Sequence, residues 1–168
     1  MKEVATLKDL MIYELQSLQE AEDVWAQALK ENLNNIDNAD LKNLFEKGHA
    51  AAQQHAERIV KLLKDLGINV LTRKNIVAYD LVRELAEIRE NSLDPEVLDA
   101  GMIVTHQCMN HYMIAKYGSV ASYAELLEQE NIAQTLHKIL EEEKNEDAYL
   151  SQLAETSINV KAKSALIH

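Results

Sequence analysis

Residues 136–153, LHKILEEEKNEDAYLSQL, carry the pattern that decides the fold. Leucines recur through the stretch at helical spacing and predict an amphipathic helix with one apolar seam. Glu143 lies one heptad after Leu136 and one heptad before Leu150, so it points along that seam. Asp147 is one turn further on, about 40° round the helix. Because a carboxylate among leucines is costly unless it is paired, protonated or bound to a metal, the other helices must supply a partner.

Composition and charge narrow the class of protein. The chain has 168 residues, only four glycines and one proline, and an excess of helix-forming residues, which favours one all-α domain over residues 1–168. Its net charge of −11 disfavours nucleic acids and anionic membranes as partners. The chain has no apolar run of the ~20 residues that a membrane span needs, and no signal-peptide pattern, so we expect a cytoplasmic protein. The single cysteine, Cys108, excludes an intramolecular disulfide.

Two further helices show the same interrupted seam. The first begins near Thr6, which forms a capping box with Asp9, and its apolar stripe is interrupted by Glu22. The second covers about residues 39–66, ends at Gly67, and contains His55 in its stripe. We therefore expect an ionisable side chain in the middle of the apolar seam of both of these helices, as in the helix over residues 136–153.

The second half of the chain supplies the remaining predicted helices. A shorter helix is predicted over residues 75–91. Asp94 as N-cap and Pro95 in the first turn predict the start of a third long helix, Glu96 to about Tyr117, and Gly118 predicts a break or kink. Residues 119–130 continue as helix into the last long helix, and the tail over 156–168 has weak pattern. Four long helices with a short turn between the first two and a longer crossover between the second and third predict a four-helix bundle with additional short helices.

The polar residues in the seams suggest a metal site. Carboxylates and imidazoles that meet inside a bundle are ligands suited to iron, manganese or zinc. The candidate metal ligands are Glu22, His55, His106, Glu143 and Asp147. The alternative is a buried network in which histidines bond to the carboxylates with no metal present. The pattern does not decide which of His55, His106 and Asn110 faces the centre of the bundle. No catalytic residue is assigned.

At this point the chain resembles the YciE/YciF-type branch of the ferritin-like superfamily, bacterial proteins associated with stress responses. The resemblance rests on ELQSLQEAE at 14–22, WAQAL at 25–29, FE at 45–46, ERI at 57–59, NHYMIAKYG at 110–118 and LEEEK at 140–144 with Asp147. It implies a ferritin-like four-helix bundle, often dimeric, whose helices contribute carboxylates to a di-metal centre. Glu22 and Glu143 match that pattern.

The departures from the family pattern decide the expected function. The resemblance implies carboxylates where this chain has Ala50 and Ala51, Asn110 and Met113, and a glutamine in place of His55. We therefore expect a stress-associated homodimer with a degenerate di-metal centre that binds metal or has a structural role, without ferroxidase activity. The alternatives are a bundle that holds a single iron, manganese or zinc ion with weak redox activity, and a helical interaction module without metal. The sequence names no small-molecule substrate and leaves open whether the protein is an enzyme.

Overall fold

The computed structural model describes residues 4–70 and 73–164, and within these ranges every regular element is helical. The residues outside them include the first three and the last four of the chain, so the end of the predicted tail lies outside the described residues. The α-helices are α1 (Leu7–Asn32), α2 (Ala39–Asp65), α3 (Ile76–Asn91), α4 (Pro95–Leu126), α5 (Glu130–Leu153) and α6 (Asn159–Ser164). A 3₁₀ turn covers Leu33–Asn35, and a π-helical segment, Ala154–Ile158, joins α5 to α6.

The four long helices form the predicted all-α, ferritin-like bundle. Helix α1 packs along α2, and α4 packs along α5, so the bundle consists of two helical hairpins. Helix α3 lies against α1 and α4 and forms the middle of the crossover between the hairpins. At Gly101 of α4 a Cβ atom would come within 2.5 Å of Ile88, so the close approach of α3 to α4 requires glycine there.

Side chains cap the starts of α1, α3 and α4, and the caps of α1 and α4 lie at the predicted positions. The hydroxyl of Thr6 accepts a hydrogen bond from the Asp9 backbone N–H, and the Asp9 carboxylate accepts one from Thr6, which completes the capping box. Asn75 caps α3, and Asp94 caps α4 ahead of Pro95. The starts of these helices are thus fixed by local sequence.

One boundary prediction is wrong. Helix α4 continues through Gly118 to Leu126, because the residues on both sides of the glycine pack in the core and hold the backbone helical. The chain turns instead at Glu128, whose φ is 56°, and α5 begins at Glu130. Within the described ranges no helix is long and apolar enough to cross a membrane.

Candidate metal centre

Glu22, His55 and Glu143 meet in the core of the bundle, and we call them the buried triad. They come from α1, α2 and α5, where each interrupts an apolar stripe. Their exposed fractions are 1%, 2% and 6%. One ligand atom from each lies within 4.8 Å of the other two, and no other such group of His, Cys, Asp and Glu occurs in the described part of the chain. The heptad argument thus placed Glu22 and Glu143 correctly, and the structure decides that His55 is the histidine that faces them.

The His55 ring is at the centre of the triad. Its Nδ1 atom lies 3.2 Å from Oε1 of Glu22 and 3.2 Å from Oε1 of Glu143. Its Nε2 atom lies 2.8 Å from Oε2 of Glu142, which also accepts a hydrogen bond of 2.8 Å from Arg58. The ring therefore connects two buried carboxylates to a half-exposed ion pair at the surface of the bundle.

The charges of these groups depend on one another. Burial by itself would lower the pKa of His55, but the carboxylates of Glu143 and Glu22 beside it raise that pKa to about 10. Burial raises the pKa of Glu143 to about 8, with a contribution from the Glu22 charge and against the effect of His55. At neutral pH the metal-free triad therefore holds protons on His55 and Glu143, and these protons offset its buried negative charge.

Helix α4 contributes a tyrosine to the centre. The fully buried hydroxyl of Tyr117 donates a hydrogen bond to Oε1 of Glu22. Burial raises the pKa of Tyr117 well above its ordinary value, and the nearby charges of Glu22 and Glu143 raise it further. The phenol therefore stays protonated and fixes the orientation of the Glu22 carboxylate.

Comparison with known proteins places this bundle in a family. Residues 6–163 match the family described as "Domain of unknown function (DUF892)". The chain is 32% identical over 160 residues to Protein YciF of Escherichia coli K12, across 95% of this chain and 96% of that protein. The chain belongs to this family. The resemblance to YciE/YciF-type proteins predicted from the sequence is confirmed.

Solved structures agree with this assignment. The crystal structure of the Escherichia coli stress protein YciF matches with a TM-score of 0.88 at 30% identity, over 93% of this chain and 99% of that one. YcfI of Rhodopseudomonas palustris, described as a candidate structural protein, matches with a TM-score of 0.86 at 28% identity, over 89% and 96% of the two chains. The bundle is therefore the fold of the YciF-type family.

The two other candidate ligands lie apart from the triad in this YciF-type bundle. His106 of α4 is fully buried, and its Nε2 atom lies 3.5 Å from Oε2 of Glu146. Asp147 lies at the edge of the bundle, 3.2 Å from Nε2 of the exposed His111. That His106 and Asp147 bind metal stays a prediction, but they cannot complete the triad without moving. Asn110 is also buried, on the side of Glu146.

Sequence reasoning missed three side chains at the centre: Tyr117, Glu142 and Glu146. Glu146 carried a detectable signal, because Glu143 and Glu146 have the i, i+3 spacing of the Glu-x-x-His pairs in di-iron bundles. On α2, the residue three positions before His55 is Ala52, whose side chain has no ligand atom. Glu142 carried no such signal, since it lies about 100° from Glu143 around the helix. Its side chain nonetheless reaches Nε2 of His55.

The donor set of the triad fits a single first-row divalent ion. Carboxylate oxygens and imidazole nitrogens are ligands that suit iron, manganese and zinc, and three protein ligands with an open position are typical of catalytic zinc sites. With a neutral imidazole, the two carboxylates would balance the charge of one divalent ion. A pair of bridged ions is a poor fit, because this chain has Ala51 and Asn110 at positions where the resemblance implies carboxylates.

Proposed function

We propose that this protein binds one divalent iron, manganese or zinc ion at Glu22, His55 and Glu143, as a stress-associated YciF-type protein without ferroxidase activity. The observation that supports the proposal most directly is the convergence of three buried ligand atoms from three helices. The link to stress rests on the description of the Escherichia coli relative as a stress protein.

The chain's own residues have distinct tasks in this proposal. Glu22 and Glu143 supply negative charge, and Tyr117 holds Glu22 in place through its hydroxyl. His55 becomes a ligand at Nδ1 when that nitrogen loses its proton, while its Nε2–H donates a hydrogen bond to Glu142, which holds the ring in the required tautomer. A bound ion would act as a Lewis acid or a store of metal, and with one ion the paired oxidation of two ferrous ions is not available.

A second function is favoured by the contacts of His55. Its Nδ1 atom lies at the same distance from both buried carboxylates, so the imidazolium, together with a proton on Glu143, can offset their charge in a purely structural core. Under this alternative, His55→Ala would lower the free energy of unfolding by about 3–5 kcal/mol, since a buried charge loses its partner. The protein would then bind no metal.

Metal content and melting temperature distinguish the two. Protein purified without chelator or a nickel column should contain at least one divalent ion per chain, and added metal should raise its melting temperature. Glu143→Gln should weaken metal binding at the triad by about tenfold or more and reduce that rise. The matched control is Glu141→Gln, because Glu141 is an exposed neighbour that contacts Lys144.

Two results would contradict the metal proposal or its single-ion form. Metal-free protein with a melting temperature indifferent to metal would contradict the metal proposal and support the imidazolium core. We also expect that added ferrous ion produces no fast, saturable oxygen-dependent absorbance change. If it does, the centre holds two coupled ions and the single-ion proposal is wrong.

A further inference from the structure

We propose that His106, Glu146 and Asn110 form a second cation site, which takes a divalent ion of the zinc class and shares no ligand with the buried triad. The inference goes beyond the proposed function and does not depend on it. We call these three residues the His106 cluster. They lie on α4 and α5. The His106 ring packs against Trp25, and Glu146 and His106 both lie next to Gly48.

His106 is a buried side chain with unused bonding capacity. It is 0% exposed, and neither ring nitrogen makes a hydrogen bond to the described residues. The edges of Trp25 and Phe45 pack against the ring, with centroids 5.2 and 5.0 Å away, and fix its orientation. A buried imidazole that makes no ordinary hydrogen bond, and whose Nε2 only approaches Glu146 at 3.5 Å, is costly, so a further partner is expected there.

Glu146 reaches this histidine through a gap left by a glycine. A Cβ atom at Gly48 would lie 2.7 Å from Oε1 of Glu146 and 3.5 Å from Cε1 of His106. Any side chain at Gly48 would therefore displace the carboxylate from its present position. The missing side chain is what allows a carboxylate from α5 to enter the bundle next to His106.

The separation of the two groups suits a bridging ion better than a direct hydrogen bond. Nε2 of His106 lies 3.5 Å from Oε2 of Glu146, beyond the ordinary hydrogen-bond range of about 2.7–3.2 Å. Two ligand atoms each about 2.1 Å from a tetrahedral ion lie about 3.4 Å apart. The observed distance therefore matches ligands that an ion would join.

Asn110 supplies the third ligand position. Its Nδ2 atom is buried without a hydrogen-bond partner among the described residues. The amide nonetheless lies close enough to Glu146 to lower the pKa of that carboxylate, as do His106 and His55, against the effect of burial. Rotation of the amide would turn its oxygen to the same place, and amide oxygens bind divalent cations.

The test counts zinc equivalents. Metal-free full-length protein titrated with Zn²⁺ in a calorimeter should bind two equivalents, one at each site. His106→Gln and Glu146→Gln should each lose one equivalent or weaken it by about tenfold or more. Gly48→Ala should do the same without removing a ligand, and it favours the helix, so α2 should still fold. His111→Gln, which changes an exposed histidine beside Asp147, should keep both equivalents.

The two proposals fail in different ways. A single equivalent that is lost in Glu143→Gln and retained in Gly48→Ala would overturn the second site alone. A single equivalent that is lost in Gly48→Ala and retained in Glu143→Gln would leave the second site standing and contradict the triad. Binding of two equivalents that both persist in Glu146→Gln and Gly48→Ala would also overturn the inference, and so would binding of no zinc.

Discussion

His55 is the residue at the centre of the charged groups inside the bundle. It faces Glu22, Glu142 and Glu143, with Arg58 and Tyr117 next to these carboxylates. Its pKa is raised from 6.5 to about 10, so in metal-free protein its contribution to stability is complete below about pH 6.5 and is lost as the pH rises through about 10. The raised pKa of Glu143, about 8, makes stability fall with pH in the same direction, from about pH 4.5 to 8.

We therefore expect metal-free protein to lose stability between about pH 6 and pH 10. The free energy of unfolding, measured with urea, should fall by on the order of a few kcal/mol across this range. His55→Gln should be less stable than the wild type at pH 6 and show a flatter profile. His137→Gln is the control, because His137 is exposed and pairs only with Glu125. A wild-type profile as flat as that of His55→Gln would contradict this reading of the triad.

At the scale of elements, a buried aspartate joins the two hairpins. Asp99 of α4 is 2% exposed, and its carboxylate accepts hydrogen bonds from the backbone N–H groups of Asp37 and Asn38 at 3.2 and 2.8 Å. These groups lie in the turn just before α2. The contact therefore fixes where α2 begins relative to α4, and hence the position of His55 relative to α4.

Asp99→Ala should destabilise the bundle by about 1–3 kcal/mol, because two backbone donors lose a charged acceptor. Urea denaturation of the variant measures the loss, and Asp80→Ala is the control. Asp80 is exposed on α3 and pairs with Arg83, so its removal should change stability by less than about 0.5 kcal/mol. Equal stability of the two variants would show that the Asp99 contact is not needed.

At the scale of the whole molecule, one side of α4 bears an apolar stripe that the described residues do not cover. Leu93, just before the helix, is 98% exposed, and Val97 and Val104 are 42% and 55% exposed. Val97, Val104 and the exposed Cys108 lie within about 40° of one another around the helix axis. We propose that two copies of the chain pair through this stripe about a twofold axis, as the expected homodimer requires.

Val104→Glu should convert the dimer to a monomer, because the new charge would be buried in the interface. Light scattering at tens of micromolar is the measurement, a range in which a stable interface of ordinary size persists. Val160→Glu changes an equally exposed valine outside the stripe and should leave the dimer intact. A wild-type protein that is monomeric at these concentrations would contradict the proposed pairing.

The sequence by itself determined the helices, the capping residues of α1 and α4, and the two carboxylates of the triad, and it left open which histidine joins them. Helix formation and capping depend on neighbours a few residues away, and a heptad position fixes the direction of a side chain, so Thr6, Asp94, Glu22 and Glu143 were predictable from the chain. Only the tertiary structure decided which groups meet across helices. The rotation of α4 about its axis places Tyr117 against Glu22 and His106 near Glu146. The absence of a side chain at Gly48 leaves space for Glu146. These contacts depend on how the helices rotate and approach one another, which packing of the complete core sets and no local pattern encodes.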